Sequence, residues 1–293
     1  MTIRTILVAL ALDDGAARIA ARALQLAHEH RAKLVAVHVI EELPHSLQSV
    51  PPNEDKTRDR LLNAASEGLY TLVARAEPAA ELYVAAGKPH EIINGLARES
   101  GADLIVIGPG VAQGLRERVF GSTADRVIRH GPAPVIIVRG EVLGPYRHAT
   151  IGTDFSAHAQ AAAVMTQRVA PVARREFLHT VEIPLGFEQA MLKVGTPQAE
   201  IAQYRKARAA EARRNLLEVH GQNGALPPDC AVRIVQGDAA TALINASRRR
   251  RTDLVVIGTQ GAGAMARHLL GGVARKVLAQ ARSDVLVVPL RDG

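Results

Sequence analysis

Short apolar runs closed by Gly, Pro or polar residues recur along the chain, and longer Ala/Leu-rich segments with interspersed charges lie between them. A run of four to six apolar residues bounded in this way suits a strand buried on both faces, whereas the longer segments carry helical spacing. In the first half the pattern predicts strands over Thr5–Leu10, Lys33–Ile40, Glu81–Ala85 and Leu104–Ile107, and a fifth from Val135. The helices between them are Ala16–Glu29, Arg58–Arg75, Pro89–Glu99 and Ser122–His130. The second half repeats the order. Its strands are Ala149–Thr153, Glu176–Val181, Val232–Val235, Leu254–Ile257 and Val285–Val288, and its helices His158–Val169, Pro197–Val219, Ala239–Arg250 and Gly272–Ala281. Strands alternating with helices imply an α/β fold with a parallel, doubly wound sheet of five strands in each half.

The two halves are copies. At an offset of 150 residues Gly87 falls on Gly237, Asp103-Leu104-Ile105-Val106-Ile107-Gly108 on Asp253-Leu254-Val255-Val256-Ile257-Gly258, Gly121 on Gly271, and Val135–Val138 on Val285–Val288. The register holds without a gap over about fifty residues, longer than any single solenoid repeat, so it marks a duplicated domain. The expected boundaries are residues 1–140 and 148–293. The Gly- and Pro-containing stretch around 141–147 is the linker, short enough to hold the copies in contact.

Composition narrows the function classes. The chain of 293 residues is 47% hydrophobic and 22% charged, a globular balance. Aromatic residues are scarce at 3%, which leaves few platforms for stacking bases and disfavours nucleic acid as a partner. The formal charge of +7 draws anions of any kind. No apolar run is long enough for a membrane span, so no membrane partner is expected. The lone Cys230 cannot close an intrachain disulfide, and no basic, apolar leader opens the sequence, from which a cytoplasmic location is expected.

Glycines cluster after the fourth strand of each copy: Gly258, Gly261 and Gly263 leading to Gly271-Gly272, and Gly108 and Gly110 leading to Gly121-Ser122-Thr123. Glycine lets a ligand approach the backbone, a helix start offers unpaired N–H groups to phosphate, and ligands of open α/β sheets lie beyond the carboxyl ends of the strands. Gly-x-x-Gly, nine residues, then Gly-Ser or a variant, all after an Asp-Leu-Ile/Val-Val-Ile strand, resembles the ATP-binding signature of the universal stress proteins. Thr153-Asp154-Phe155-Ser156 resembles that family's first-strand acid.

The resemblance covers nearly the whole chain. It implies two tandem flavodoxin-like (Rossmann-like) domains, binding of ATP or AMP, Mg accompanying the phosphates, and pairing of the two domains through their last strands, with a homodimer as a further expectation. Carried over by position, Thr153 and Asp154 meet the adenine and ribose end, Thr180 and Val181 line the adenine pocket, and Gly258, Gly261 and Gly263 hold ribose and α-phosphate. Gly271 and Gly272 receive the outer phosphates. The matching first-copy positions are Val39, Gly108, Gly110, Gly121, Ser122 and Thr123. Copy one departs from the pattern with Ala11 at the acid position and Val111 at the second loop glycine. Copy two departs with Gly272 where a hydroxyl is usual. One better site and one eroded site is the expectation.

Neither loop runs into Gly-Lys-Ser/Thr, which excludes a Walker A motif, and neither follows a first strand, which excludes the dinucleotide fingerprint. Arg248–Arg251 reads first as a solvated helix end. His38 and His179 lack metal-ligand spacing and read as strand-end residues. With no catalytic centre in sight, the expected role is a regulatory, non-enzymatic stress-response protein binding adenine nucleotide mainly in the second domain. The competing readings are a nucleotide-free dimeric scaffold and a slow ATPase.

Overall fold

The computed structural model describes residues 2–41, 54–110, 121–182, 185–220, 226–261 and 269–290. The first half runs β1 (Thr5–Ala9), α1 (Ala16–His30), β2 (Lys33–Glu41), α2 (Glu54–Val73), β3 (Glu81–Gly87), α3 (Pro89–Glu99), β4 (Leu104–Ile107), α4 (Ser122–His130) and β5 (Val135–Ile137). The second runs β6 (His148–Gly152), α5 (Ala157–Val169), β7 (Arg174–Val181), α6 (Leu185–Lys193), α7 (Gln198–His220), β8 (Cys230–Gln236), α8 (Ala239–Ser247), β9 (Leu254–Gly258), α9 (Gly272–Gln280) and β10 (Asp284–Val288).

All ten strands join one sheet in the order β3-β2-β1-β4-β5-β10-β9-β6-β7-β8. Pairing is parallel within each half and antiparallel only where β5 meets β10, with Ile136 opposite Leu286 at the centre of the joint. Period-two alternation sends Ile6, Val8, Leu104 and Val106 to one face and Leu7, Ile105 and Ile107 to the other. The first face is covered by α1, α2, α5 and α7, the second by α3, α4, α8 and α9. Each apolar layer runs across the joint, since Val288 and Tyr146 share a core with Ile6, and Val285 shares one with Leu7. The halves are therefore welded by apolar burial on both faces as well as by strand pairing.

A buried polar knot fixes that weld. Asp284, fully buried at the start of β10, accepts from Arg22 Nε on α1 (3.0 Å), Tyr146 Oη (2.7 Å) and the backbone amides of Arg139 (2.7 Å) and Gly140 (2.8 Å). The Arg22 guanidinium lies 4.1 Å from the Tyr146 ring centre and also donates to Gly144 O at 2.9 Å. Four donors on one carboxylate are what a charge needs in a dry setting. Burial and the Asp284 charge push the Tyr146 hydroxyl well above its ordinary range, so it stays protonated and donates. The connecting stretch thus places its Tyr146 inside the core.

Two elements depart from the sequence expectation. Helix α6 was not anticipated: it is a single short helix with Gly186 inside it, and its packing against α7 includes Phe187 on Tyr204 at 6.1 Å between ring centres. Helix α8 ends at Ser247, so Arg248–Arg251 form a turn beyond the helix and not its last turn.

Candidate functional site

The carboxyl ends of β6 and β9 are adjacent, because these strands pair in parallel, and they deliver most of the expected site residues to one crevice. Thr153 leaves β6 almost fully buried, its amide donating to Leu178 O at 3.0 Å. Asp154 follows in the open. Phe155 then takes a left-handed backbone (φ 66°), which turns the chain into α5. Ser156 caps that helix, its Oγ accepting from Ala159 N at 3.2 Å while donating to Asp154 Oδ1 at 2.5 Å; Ser156 N also donates to Asp154 Oδ1 at 3.1 Å.

The loop after β9 folds onto this acid. A Cβ on Gly261 would stand 2.6 Å from Asp154 Oδ2, so at this glycine the backbone lies close against the carboxylate. Gly258 has a different cause. A Cβ on it would meet His158 Cβ at 2.7 Å and His158 backbone at 3.1 Å, so this glycine admits the first turn of α5 to the sheet. Gly271 caps α9 and its N–H donates to Thr259 O at 2.8 Å. The N–H groups at the start of α9 that helix geometry leaves without an intrahelical acceptor are therefore those of Gly272, Val273 and Ala274. A Cβ on Gly272 would meet nothing within 4 Å among the described residues.

Thr180 and Val181 end β7 beside Val235 and Gln236 of the edge strand. One strand-end residue before them, His179 shares an Nδ1 hydrogen bond with Thr153 O at 2.8 Å and packs on Phe155 at 4.7 Å between ring centres. Gly263 lies outside the described residues, as does Val111.

The first half builds the same frame with other contents. His38 Nδ1 bonds Leu10 O at 2.7 Å, the counterpart of the His179 contact, and Val39 follows it on β2. Leu12 takes the left-handed turn (φ 56°) that Phe155 takes in the second half, which sets Ala11 opposite Asp154. Asp13 instead accepts from Gly15 N at 2.9 Å and shapes the entry to α1. Gly110 (φ 79°) packs on Gly121, a Cβ on either meeting the other's Cα at 2.9 Å. Gly121 N donates to Pro109 O at 3.1 Å, and Ser122 and Thr123 open α4. A Cβ on Gly108 would reach only the Cδ1 tip of Ile19, at 2.6 Å.

A cavity of about 270 Å³ that the sequence reading did not foresee lies between the β7–β8 edge and α8, lined by Leu178, Arg233, Val235, Asp238, Thr241 and Arg249. Its lining includes Val235 and Gln236, the neighbours of Thr180 and Val181 at the end of β7. Three of its charged groups are engaged: Asp238 caps α8 through Thr241 N at 2.8 Å, and Arg249 and Arg233 reach Glu176 at 3.4 and 3.7 Å. The Thr241 amide and hydroxyl bonds hold the Asp238 carboxyl below its ordinary range. Burial pushes the Cys230 thiol up, so it stays protonated and is a poor nucleophile. Among the described residues no group of His, Cys, Asp and Glu is placed to hold a metal ion, and no helix is long and apolar enough to cross a membrane.

Comparison with known proteins places both halves together. The model of the universal stress protein family matches residues 2–139 and again 145–289. A universal stress protein of Thermus aquaticus is 32% identical over 136 residues, covering 98% of that relative and 46% of this chain. The universal stress protein YxiE of Bacillus subtilis is 36% identical over 144 residues, covering 97% of it and 45% of this chain. Among solved structures, a universal stress protein from Archaeoglobus fulgidus superposes along the whole length, with a TM-score of 0.62 at 16% identity and coverage of 97% of this chain and 98% of that one.

Proposed function

Since the chain belongs to the universal stress protein family, twice over, we propose that it is a stress-response protein whose second half binds an adenine nucleotide, ATP or AMP, in a regulatory role. The observation that carries this reading is the meeting of Asp154 with Gly261, in the loop that leads to the start of α9. A carboxylate is an acceptor for ribose hydroxyls or the adenine amine, and the Gly272, Val273 and Ala274 amides offer phosphate donors reinforced by the helix dipole. Thr180 and Val181 supply the apolar wall. Mg²⁺ would ride on the phosphates, since no protein cage for it stands among the described residues.

Binding without turnover is the expected behaviour. Hydrolysis needs a positioned water and charge neutralisation at the γ-phosphate, and Gly272 offers no hydroxyl where the first half has Ser122. The first half serves as the structural partner: its loop glycines close on each other at Gly110 and Gly121, and Ala11 leaves its crevice without the acid.

Titration calorimetry on nucleotide-free protein tests this directly. Asp154→Ala is expected to weaken ATP or AMP binding by about tenfold or more, the scale of a charge-assisted hydrogen bond, while Asp13→Ala leaves affinity within about twofold. Equal losses, or no binding by the native chain, would remove the Asp154 crevice as the site. Multiple turnovers in a phosphate-release assay with Mg²⁺ would replace the regulatory reading with an ATPase.

A further inference from the structure

At the amino-terminal ends of the second half's strands, opposite the crevice, topology gathers arginines that are far apart in sequence. Arg282 precedes β10, Arg251 lies in the turn entering β9, Arg147 precedes β6 and Arg174 opens β7. These four strands are consecutive neighbours in the sheet. Backbone hydrogen bonds tie the row together: Arg174 N donates to Arg147 O (2.8 Å), Arg147 N to Asp253 Oδ2 (2.7 Å), Asp253 N to His148 O (3.0 Å) and Arg282 N to Ser247 Oγ (3.0 Å), the residue before Arg248. Arg248 and Arg250 precede Arg251 in the same turn, and all six are exposed with no side-chain partner among the described residues.

The duplication supplies an internal control. In the first half the corresponding positions are Pro132, Gly101, Arg4 and Lys33, the last two identified because Lys33 N donates to Arg4 O (2.8 Å) and Arg4 N to Asp103 Oδ2 (2.8 Å) in the same pattern. Lys33 is paired with Glu81 at 2.6 Å. Two of the four positions are thus cationic in both halves, and the second half has added Arg282 and Arg251 to them.

From this row we infer that the amino-terminal rim of the second half is a docking surface for the phosphate backbone of duplex nucleic acid, read without regard to base sequence. Four adjacent strands at about 4.8 Å spacing set the backbone positions of these arginines along about 15 Å. Four cations in a row can neutralise about four phosphates of a duplex laid against them. Guanidinium forks suit phosphate oxygens in pairs. The row exposes no aromatic side chain to stack unpaired bases, which sets single strands aside. A membrane surface would call for a continuous apolar face beside the charges, whereas among the described residues near the rim the exposed large apolar side chains are the scattered Leu143 and Val172. Arg248–Arg251 alone read as a solvated turn; Arg147, Arg174 and Arg282 make a line of it.

Fluorescence anisotropy with a labelled duplex of mixed sequence tests the inference on the full chain. Binding is expected at low salt, independent of sequence, and four phosphate contacts predict roughly a 100-fold loss of affinity between about 50 and 200 mM salt. Replacing Arg174, Arg251 and Arg282 by Gln together is expected to weaken binding at least about tenfold and to reduce the salt slope by about 2.7, at about 0.9 per contact. The charge-matched control Lys206→Gln, Arg213→Gln, Arg214→Gln on the exposed face of α7 is expected to change affinity by less than about twofold, with both variants melting like the native protein. The inference is overturned if the native chain does not bind duplex at low salt, if the α7 control loses as much as the rim variant, or if the rim variant loses affinity for phosphatidylglycerol vesicles and not for duplex.

Discussion

The two halves share a fold, a strand order and a histidine at the second strand's end, yet differ in charge at the joint, at the crevice and along part of the rim. At the joint, Asp284 begins β10 where the aligned position before β5 is Pro134, so the second half brings the carboxylate and the first half brings Arg22 to meet it. At the crevice, Asp154 stands opposite Ala11. At the opposite rim, arginines stand opposite Pro132 and Gly101. A duplicated domain keeps the apolar pattern that its fold demands in both copies, while polar groups that each copy does not need for folding are free to diverge.

The joint offers the largest effect. Asp284→Ala leaves the Arg22 guanidinium, Tyr146 hydroxyl and two backbone amides without their acceptor, and is expected to cost about 3–5 kcal/mol in urea denaturation. Adding Arg22→Met to that variant should restore part of the loss, because the uncompensated charge goes with it. Pro134→Ala, at the aligned place in the other half, should cost far less. Equal costs at Asp284 and Pro134 would show that the knot does not hold the halves.

A smaller contrast separates two glycines that align in sequence. Gly258→Ala drives a methyl into the backbone and Cβ of His158 and is expected to cost about 1–3 kcal/mol by overpacking. Gly108→Ala meets only the tip of Ile19, which can rotate away, so its cost should fall below about 1 kcal/mol. Paired chemical denaturation curves decide it, and a reversed order would mean that α1 and not α5 is the tightly seated helix.

The smallest effect is at the helix starts. Both α5 and α8 carry side-chain caps, Ser156 and Asp238, whereas α1 begins at Gly15 without one. Ser156→Ala and Asp238→Ala should each cost about 1 kcal/mol. The Asp238 contribution has a pH sign: its folded carboxyl titrates below the ordinary value of 3.8, so its stabilisation is present above that pH and is lost as pH falls through the folded value. Acid melts of the native chain and Asp238→Ala should therefore converge at low pH.

Most of the fold was legible because strands buried on both faces leave an unmistakable apolar run, as at Leu104–Ile107, and because the repeat reads each element twice. Helix α6 escaped because nine residues with Gly186 among them carry little local signal and the helix is held by its contact with α7. In the crevice, the glycine spacing and Asp154 were visible as residues, but their causes were not. Gly258 serves the packing of α5, and Gly271 N–H is turned to Thr259 O, both of which depend on neighbours distant in the chain.

By itself, then, the sequence determined what repeats with a period: the alternation of strands and helices, the duplication, and the glycine loops with their family resemblance. Tertiary structure decided what depends on where chain segments meet. It put Arg22, Tyr146 and Asp284 into one buried knot, set Gly261 against Asp154, and lined up Arg282, Arg251, Arg147 and Arg174 along one rim. The physical reason is that hydrophobic periodicity is a local property written along the chain, whereas charge pairing and close backbone approach arise between residues that only the strand order brings together.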